Sequence, residues 1–260
     1  MTLPTFSASD DPGPSFADLL RRTRPSDALP QMPHDLAIPH GTTVLGVRYA
    51  DGVVMAGDRR ATSGNLIAHK TMEKVFPADR FSGVAIAGSA GPAIEMVKLF
   101  QLQLEHYEKV EGVVLSLEGK ANQLSQMVRS NLPAAMQGMA VVPLFAGYDL
   151  LRRTGRLFQY DITGGRYEEL DHVASGSGSL HAGTVVKLGF RDGMGRDETI
   201  DLVVNALSRA AEEDSATGGP DLIRGIFPVV ATITEGGYER VDDAELRTRV
   251  EALIAGGATS

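Results

Sequence analysis

Residues 40–60 read HGTTVLGVRYADGVVMAGDRR, and this stretch indicates how the folded part of the chain begins. The β-branched and apolar run at 43–49 is followed by Asp51-Gly52, a pair that favours a tight turn, and then by a second apolar run at 53–57. The sequence therefore predicts a β-hairpin, with a strand, a turn and a strand in succession.

The segment before this hairpin has a different composition. Seven of the thirteen prolines of the chain lie before residue 40, among Ser and Asp residues. Because proline fixes φ and lacks an N–H donor, this composition discourages regular structure. We therefore predict a leader over residues 1–41. Its one periodic piece, at 16–22, is compatible with a short helix that docks on a larger body, and equally with a disordered tail.

Beyond the hairpin, strand-like and helix-like patterns follow one another. The strand-like runs are mostly apolar on both sides of the alternation, which is typical of sheets covered on both faces; they span 83–87, 141–148, 157–162 and 226–233. Apolar residues at helical spacing predict helices over 93–107, 117–135, 200–211 and 243–254. Pro133 should kink or end the second helix early. This order favours an α+β sandwich of sheets with outer helix layers.

Composition restricts the function classes. With 260 residues and 43% apolar content, the chain can bury a sizeable core. A net charge of −8 without a block of Lys or Arg argues against nucleic-acid binding. The lack of cysteine excludes disulfides and thiolate chemistry and fits a reducing compartment. No apolar run reaches the ~18 residues of a membrane span, and no signal-peptide pattern is present. We therefore expect a cytoplasmic location.

The candidate nucleophile lies at the boundary between leader and hairpin. Cleavage before Thr42 would give this residue a free α-amine with a pKa of about 7.7 to 8.0 beside its own hydroxyl, so that it would carry its own base. Gly41 lacks a Cβ and permits the strained turn that attack by Thr42 on the preceding carbonyl requires. Gly-Thr-Thr alone is weak evidence, since many strands begin this way.

Further blocks occur in the order seen in a known family. Together with the Gly-Thr-Thr start, these blocks resemble the β subunits of 20S proteasomes, in particular those of actinobacteria; they include GDRRATSGN at 57–65, KTMEKV at 70–75, AIAGSAG at 85–91, GSGS at 176–179 and DSATGGPDL at 214–222. The resemblance covers residues 40–240. It implies an N-terminal-nucleophile hydrolase fold, which is a four-layer αββα sandwich of two antiparallel sheets. It also implies that residues 1–41 are a propeptide removed by self-cleavage and that 42–260 form the mature catalytic domain.

The same resemblance implies a role for each matched residue of a threonine endopeptidase. Thr42 would be the nucleophile, Lys74 would stabilise its developing alkoxide, and Asp58 would pair with Lys74 and keep it charged. Ser177 and Asp214 would form hydrogen bonds around the Thr42 amine. The remaining roles are support for this cluster by Thr217, an oxyanion hole formed by the backbone N–H of Gly88, and a substrate pocket lined by Ala61, Met72, Ile86 and Ala90.

The family resemblance also implies partners. It predicts stacked seven-membered rings of α and other β subunits, a regulatory ATPase ring and unfolded protein substrates, with no metal or cofactor. Since the four pocket residues are uncharged, we expect cleavage after apolar residues. The six histidines show no metal-ligand spacing, and none is assigned to catalysis.

Several alternatives remain open from the sequence. The nearest enzymatic alternative is the simpler two-ring bacterial threonine protease, which shares the Thr-Thr start but has little leader and has Gly-Asp-Gly-Gln where this chain has Gly-Asp-Arg-Arg at 57–60. A non-catalytic ring subunit is the second alternative, which the retention of all five matched polar residues disfavours. Taken singly, Asp58 would more often pair with a neighbouring Arg at the surface, and Lys74 would more often be solvated. The GSGS segment would be a flexible turn, since it lacks the spacing of a nucleophile elbow.

Overall fold

The computed structural model describes residues 41–257 of the chain. Apart from Gly41, the predicted leader lies outside the described residues, as does the periodic piece at 16–22. The described strands are β1 (Thr43–Tyr49), β2 (Gly52–Gly57), β3 (Ala61–Ser63), β4 (Leu66–His69), β5 (Val75–Asp79), β6 (Ser82–Gly88), β7 (Val141–Asp149), β8 (Thr154–Tyr160), β9 (Arg166–Glu169), β10 (His172–Gly176), β11 (Val229–Thr234) and β12 (Gly237–Arg240). The described helices are α1 (Ala90–Glu111), α2 (Leu117–Ser130), α3 (Leu132–Ala135), α4 (Ser179–Gly189), α5 (Arg196–Glu213) and α6 (Asp243–Gly257).

Two five-stranded antiparallel sheets form the centre of the fold. The first has the order β10-β1-β2-β11-β12, and the second has the order β5-β6-β7-β8-β9. β3 and β4 pair separately as a small hairpin. The hairpin predicted at the start of the folded part is therefore confirmed as β1 and β2.

The turn of this first hairpin differs from the prediction by one residue. Tyr49 pairs directly with Gly52, so the turn consists of Ala50 and Asp51. Gly52 has another reason to be a glycine, because a Cβ at this position would overlap the carbonyl oxygen of Ile233 on β11. The glycine thus allows β2 and β11 to approach closely.

Three apolar clusters fill the spaces between four layers. One cluster lies between the two sheets and includes Val44, Met55 and Leu144. A second, with Leu45 and Val54, packs the first sheet against α4, α5 and α6. A third, with Phe145 and Phe158, packs the second sheet against α1 and α2. The predicted α+β, αββα sandwich is therefore confirmed, and both faces of each sheet are covered.

Element ends differ from the sequence prediction where a local contact decides them. The helix predicted over 117–135 ends at Ser130, which confirms the early end expected from Pro133. This proline lies in the first turn of the short α3, where its missing N–H costs nothing. The strand predicted over 157–162 ends at Tyr160, because Asp161 accepts hydrogen bonds from Thr163 N (2.8 Å) and Gly165 N (3.0 Å) in a turn.

The last predicted strand, 226–233, is also wrong at its start. β11 begins at Val229, whereas Ile226 forms an isolated bridge with Asp221. Pro228 lies between the two and has no N–H to donate to a neighbouring strand, so the ladder begins after it. Within residues 41–257, no helix has the length and apolar character needed to cross a membrane.

Candidate active site

Thr42 lies where the first sheet brings several strand ends together. It directly precedes β1, and in the antiparallel ladders Thr43 pairs with Gly176 at the end of β10 while Val44 pairs with Gly57 at the end of β2. The residues that follow those two strands are Ser177 and Asp58. The start of β1 and the ends of its two neighbours therefore share one edge of the sheet.

Lys74 and Asp58 form a buried ion pair at this edge. Lys74 Nζ lies 2.6 Å from Asp58 Oδ1, and the two side chains are 1% and 0% exposed. Asp58 also accepts hydrogen bonds of 2.8 Å from the backbone N–H groups of Thr43, Arg60 and Gly218. The carboxylate is thus fully satisfied, as a buried charge requires. The alternatives of a solvated Lys74 and a surface pair of Asp58 with a neighbouring Arg side chain are wrong.

Burial sets the direction of the Lys74 pKa. Removal of the ammonium from water lowers its pKa below the ordinary lysine value, and the charge of Asp58 opposes this shift without cancelling it. Asp214 opposes it as well, from a greater distance. Lys74 is therefore less basic than a solvated lysine, while its contact with Asp58 favours the charged form.

The peptide bond before Thr42 is held from three sides. Lys74 Nζ donates to the carbonyl oxygen of Gly41 at 3.3 Å, and Gly41 N–H donates to Thr62 Oγ1 at 3.2 Å. A Cβ on Gly41 would overlap Ala216, so only glycine fits at this position. The carbonyl of the bond is therefore polarised by a buried cation, and the residue that carries it is fixed in place.

A second hydrogen-bonded group surrounds the nitrogen of Thr42. Its N–H donates to Ser177 Oγ at 3.4 Å, and Ser177 Oγ in turn donates to Asp214 Oδ2 at 2.5 Å. Thr217 Oγ1 donates to the same carboxylate oxygen at 2.6 Å. Asp214 caps the end of α5, and Ser177 lies between β10 and α4. Residues far apart in the chain thus meet at one backbone nitrogen.

Asp214 is ionised at neutral pH in this arrangement. Partial burial opposes the charge, but hydrogen bonds from Ser177, Thr217 and the backbone of Ala216 outweigh that effect and hold the pKa of Asp214 below its ordinary value. The carboxylate is therefore a fixed acceptor that orients the two hydroxyl groups.

Gly88 lies at the end of β6 and does not share a hydrogen bond with this group in the described part of the chain. Its φ of 106° is a glycine conformation, and a Cβ would overlap the carbonyl oxygen of Ala140. Two residues earlier, Ile86 N–H donates to the carbonyl oxygen of Lys74 at 2.9 Å. β6 therefore carries Gly88 at its end and binds, through Ile86, the backbone of Lys74, which holds Asp58.

The four predicted pocket residues fall into two pairs. Ile86 is 2% exposed within the core beneath α1 and α2, and Met72 packs partly against the same core. Ala61 begins β3 and Ala90 begins α1, and both are half-buried. The first pair therefore belongs to the core and the second is partly accessible, and contact of the four with a substrate stays a prediction.

Comparisons with known proteins agree with this geometry. The family model described as proteasome subunit matches residues 38–223. The chain belongs to the proteasome subunit family. It is 59% identical over 252 residues to the proteasome subunit beta of Acidimicrobium ferrooxidans, covering 95% of this chain and 91% of that protein. It is 56% identical over 236 residues to the proteasome subunit beta of Streptomyces griseus, covering 89% and 84%. The resemblance read from the sequence is confirmed.

Two threonines of this proteasome-family chain were missed by the sequence analysis. Thr43 Oγ1 lies 2.5 Å from Thr217 Oγ1, and Thr62 binds the N–H of Gly41. The sequence pattern predicts only a strand position for Thr43, because β-branched side chains favour strands. The Thr-Thr doublet at 42–43 was the one available signal, since its second hydroxyl comes next to the candidate nucleophile.

Proposed function

We propose that this chain is the precursor of a threonine endopeptidase that cuts its own Gly41–Thr42 bond and then uses Thr42 as its nucleophile. The chain is a β-type proteasome subunit and a threonine-type endopeptidase, as the family match and two relatives of that name indicate. The single observation that carries the proposal is the placement of this one peptide bond. Its carbonyl contacts Lys74, and its nitrogen contacts the Ser177–Asp214 pair.

Self-cleavage begins with attack by Thr42 Oγ1 on the carbonyl carbon of Gly41. Lys74 stabilises the negative charge that develops on the carbonyl oxygen, because its ammonium already donates to that oxygen. The nitrogen of Thr42 is still an amide and is no base, so the hydroxyl proton leaves to water or a neighbouring side chain. The C–N bond then breaks as this proton is passed on to the Thr42 nitrogen, and the acyl group moves to oxygen as an ester. Water hydrolyses the ester and leaves Thr42 with a free amine.

Peptide hydrolysis repeats this chemistry with the new amine as base. The amine takes the proton from Thr42 Oγ1, the oxygen attacks the substrate carbonyl, and the proton passes to the leaving amine. The backbone N–H of Gly88 stabilises the oxyanion. Water then attacks the acyl ester and releases the second product. Lys74 and Asp58 keep a positive charge beside the reacting oxygen, and Ser177 with Asp214 orients the amine.

Assembly and location are proposed from the same relatives. The name that they share, proteasome subunit beta, supports assembly of this chain with α subunits and other β subunits in stacked rings. We extend this to a regulatory ATPase ring that delivers unfolded proteins, and to a cytoplasmic particle. The uncharged set of Ala61, Met72, Ile86 and Ala90 supports cleavage after apolar residues.

The test is the intact mass of the full-length chain after expression, with and without the hydroxyl of Thr42. Wild type should lose residues 1–41, while Thr42→Ala should keep them and show no peptidase activity. Thr42→Ser is the matched control, because it keeps a hydroxyl and should still be processed. A Thr42→Ala chain that is trimmed after Gly41 and cleaves peptides would overturn the proposal, and an untrimmed wild type would favour the non-catalytic ring subunit.

A further inference from the structure

The hydroxyl groups of Thr43 and Thr217 lie 2.5 Å apart in the interior of the protein. Both residues are 0% exposed, so neither hydroxyl exchanges its partner for water. Thr43 comes directly after the proposed nucleophile, and its N–H donates to Asp58. Thr43 thus contacts both hydrogen-bonded groups of the site, although it faces no substrate.

The directions of these hydrogen bonds follow from counting protons. A hydroxyl has one proton to donate, and an ionised carboxylate only accepts. Ser177 and Thr217 each lie within 2.6 Å of Asp214 Oδ2 and therefore each give their proton to it. Ser177 Oγ is then left to accept from Thr42 N. Thr217 Oγ1 is left to accept from Thr43, which must be the donor of that pair.

We propose that Thr43 is a positioning residue for Thr42, acting as the last donor of a hydrogen-bond chain that runs from Thr43 through Thr217 to Asp214 and on to Ser177. The chain fixes Thr217 as a donor to Asp214. Asp214 then holds the Ser177 proton, and Ser177 Oγ faces the Thr42 nitrogen as an acceptor. In the processed protein, the Thr42 amine donates one hydrogen bond to Ser177 Oγ. The lone pair of the amine is then free to accept the Thr42 hydroxyl proton.

Other charged groups face Asp214 and define what the pH profile reports. His181 on α4 acts on it electrostatically, and so does Lys74, which directly precedes β5. The guanidinium of Arg60 donates to the backbone of Ser215 at 2.7 Å, next to Asp214. Asp58 is the remaining nearby carboxylate, and it is neutralised by Lys74. These groups stay in place when Thr43 is changed, so a shift in the profile is due to the hydroxyl chain.

Thr43→Val tests the inference, because valine keeps the β-branched shape and removes only the hydroxyl. The inference rests on the proposed function, so the full-length chain is assayed both for loss of residues 1–41 and for peptide hydrolysis between pH 5 and 9. We expect kcat to fall roughly threefold to tenfold with KM unchanged, since the lost bond is worth one buried hydrogen bond. The acidic limb, which reports the Thr42 amine, should move down by about half a pH unit, because a Ser177 Oγ that is less firmly held stabilises the protonated amine less.

Two further variants separate the hydroxyl from the fold. Thr43→Ser keeps the donor and should restore the wild-type pH profile. Thr232→Val is the matched control, because Thr232 is a buried strand threonine of the same sheet and takes no part in the hydrogen bonds described around Thr42. It should leave kcat and the pH profile unchanged. A Thr43→Ser chain as slow as Thr43→Val would show that methyl packing matters, and would overturn the inference.

Thr217→Val gives a second route to the answer if Thr43→Val does not fold. This variant interrupts the series of hydrogen bonds one residue closer to Asp214. It should therefore lower kcat at least as much as Thr43→Val and shift the acidic limb in the same direction. Where both single variants fold, the double variant should be no slower than Thr217→Val alone. If the wild type is active and Thr43→Val has the same kcat and the same pH profile, only this inference is refuted. A wild type without peptidase activity refutes the proposed function instead.

Discussion

Lys74 combines a structural and a chemical role in one side chain. It balances the buried charge of Asp58 and donates to the carbonyl of Gly41. Removal of the cation therefore affects stability and self-cleavage together. A variant at this position is informative only if the two effects can be separated, and a second buried lysine of the chain makes that separation feasible.

We predict that Lys74→Met retains its leader and lowers peptidase activity by at least about a hundredfold. The lost charge stabilises the Gly41 carbonyl oxygen during self-cleavage and the Thr42 oxygen during peptide hydrolysis. The variant should also lose about 3 kcal/mol of stability, because Asp58 stays buried without its cation. The loss is not larger because three backbone donors continue to hold Asp58. Intact mass, a peptidase assay and thermal unfolding measure the three quantities.

Lys120→Met is the control for this experiment. Lys120 is 3% exposed, and its Nζ lies 2.5 Å from Asp79 Oδ2, on the helix side of the second sheet. Its loss should destabilise the fold by a similar amount while processing continues. Normal trimming of Lys74→Met would contradict the role of Lys74, and failure of both variants to be trimmed would attribute the defect to the fold.

The positions of single residues set how much of the site the sequence could reveal. Asp58 and Thr42 flank the predicted hairpin, so their proximity follows from the antiparallel pairing of β1 and β2. The link between Thr43 and Thr217 spans 174 residues and leaves no local pattern. The Lys74–Asp58 pair was expected only through the family resemblance, because nothing in the spacing distinguishes a buried lysine from a solvated one.

At the scale of elements, predictability depended on burial. β1, β2, β6 and β7 are almost wholly buried, and their apolar runs were recognised. β4 is exposed along its whole length, three of the four residues of β9 are charged, and two of the four residues of β12 are charged, so no apolar pattern indicated these strands. β10 was missed as well, although it is the strand that places Ser177. The sequence pattern therefore could not show why Ser177 lies close to Thr42.

The end of β6 is an element boundary at which a single added methyl group should matter. Gly88 has a φ of 106° and would overlap Ala140 with any Cβ, whereas Gly138 has a φ of 86° with open space around it. We predict that Gly138→Ala costs about 1 to 2 kcal/mol from the backbone conformation alone. Gly88→Ala should cost about 1 kcal/mol more, because the β6–β7 contact must also shift.

Urea unfolding of the two alanine variants measures this difference. It isolates the overlap, because both variants place alanine in the left-handed half of φ space. Equal free energies of unfolding would show that β6 and β7 relax around the new methyl group. In that case the close approach at Gly88 would not be the reason that this position is a glycine.

At the scale of the whole molecule, an ion network joins a helix layer to a sheet. Arg156 on β8 is 5% exposed and forms hydrogen bonds with Asp149 on β7 (3.0 Å), Glu168 on β9 (2.6 Å) and Glu118 on α2 (2.8 Å). Arg166 pairs with Glu118 as well. Four elements that are separate in the chain are thus connected by one buried guanidinium, which the order of predicted strands and helices could not indicate.

The pKa values of the three carboxylates are held below their ordinary values. For Glu118 the chief cause is Arg166, and for Glu168 it is Arg156. For Asp149, burial opposes the shift, but hydrogen bonds from Arg152 N–H and Arg156 outweigh it. Because the unfolded chain titrates near the usual ~3.9 for Asp and ~4.3 for Glu, it binds more protons than the folded protein in acid. Their stabilisation is present above about pH 5 and is lost as the pH falls through the folded values.

We predict that the free energy of unfolding of the wild type falls between pH 5 and 3, and that Arg156→Met reduces this dependence while lowering stability at pH 7. The loss at pH 7 arises because Asp149 stays largely buried without its cation. Arg153→Met is the control, since the pair of Arg153 with Glu235 is 71% and 62% exposed and should contribute less than about 1 kcal/mol. Denaturant unfolding at each pH gives the slopes. If Arg156→Met has the acid dependence of the wild type, the network does not couple the fold to pH.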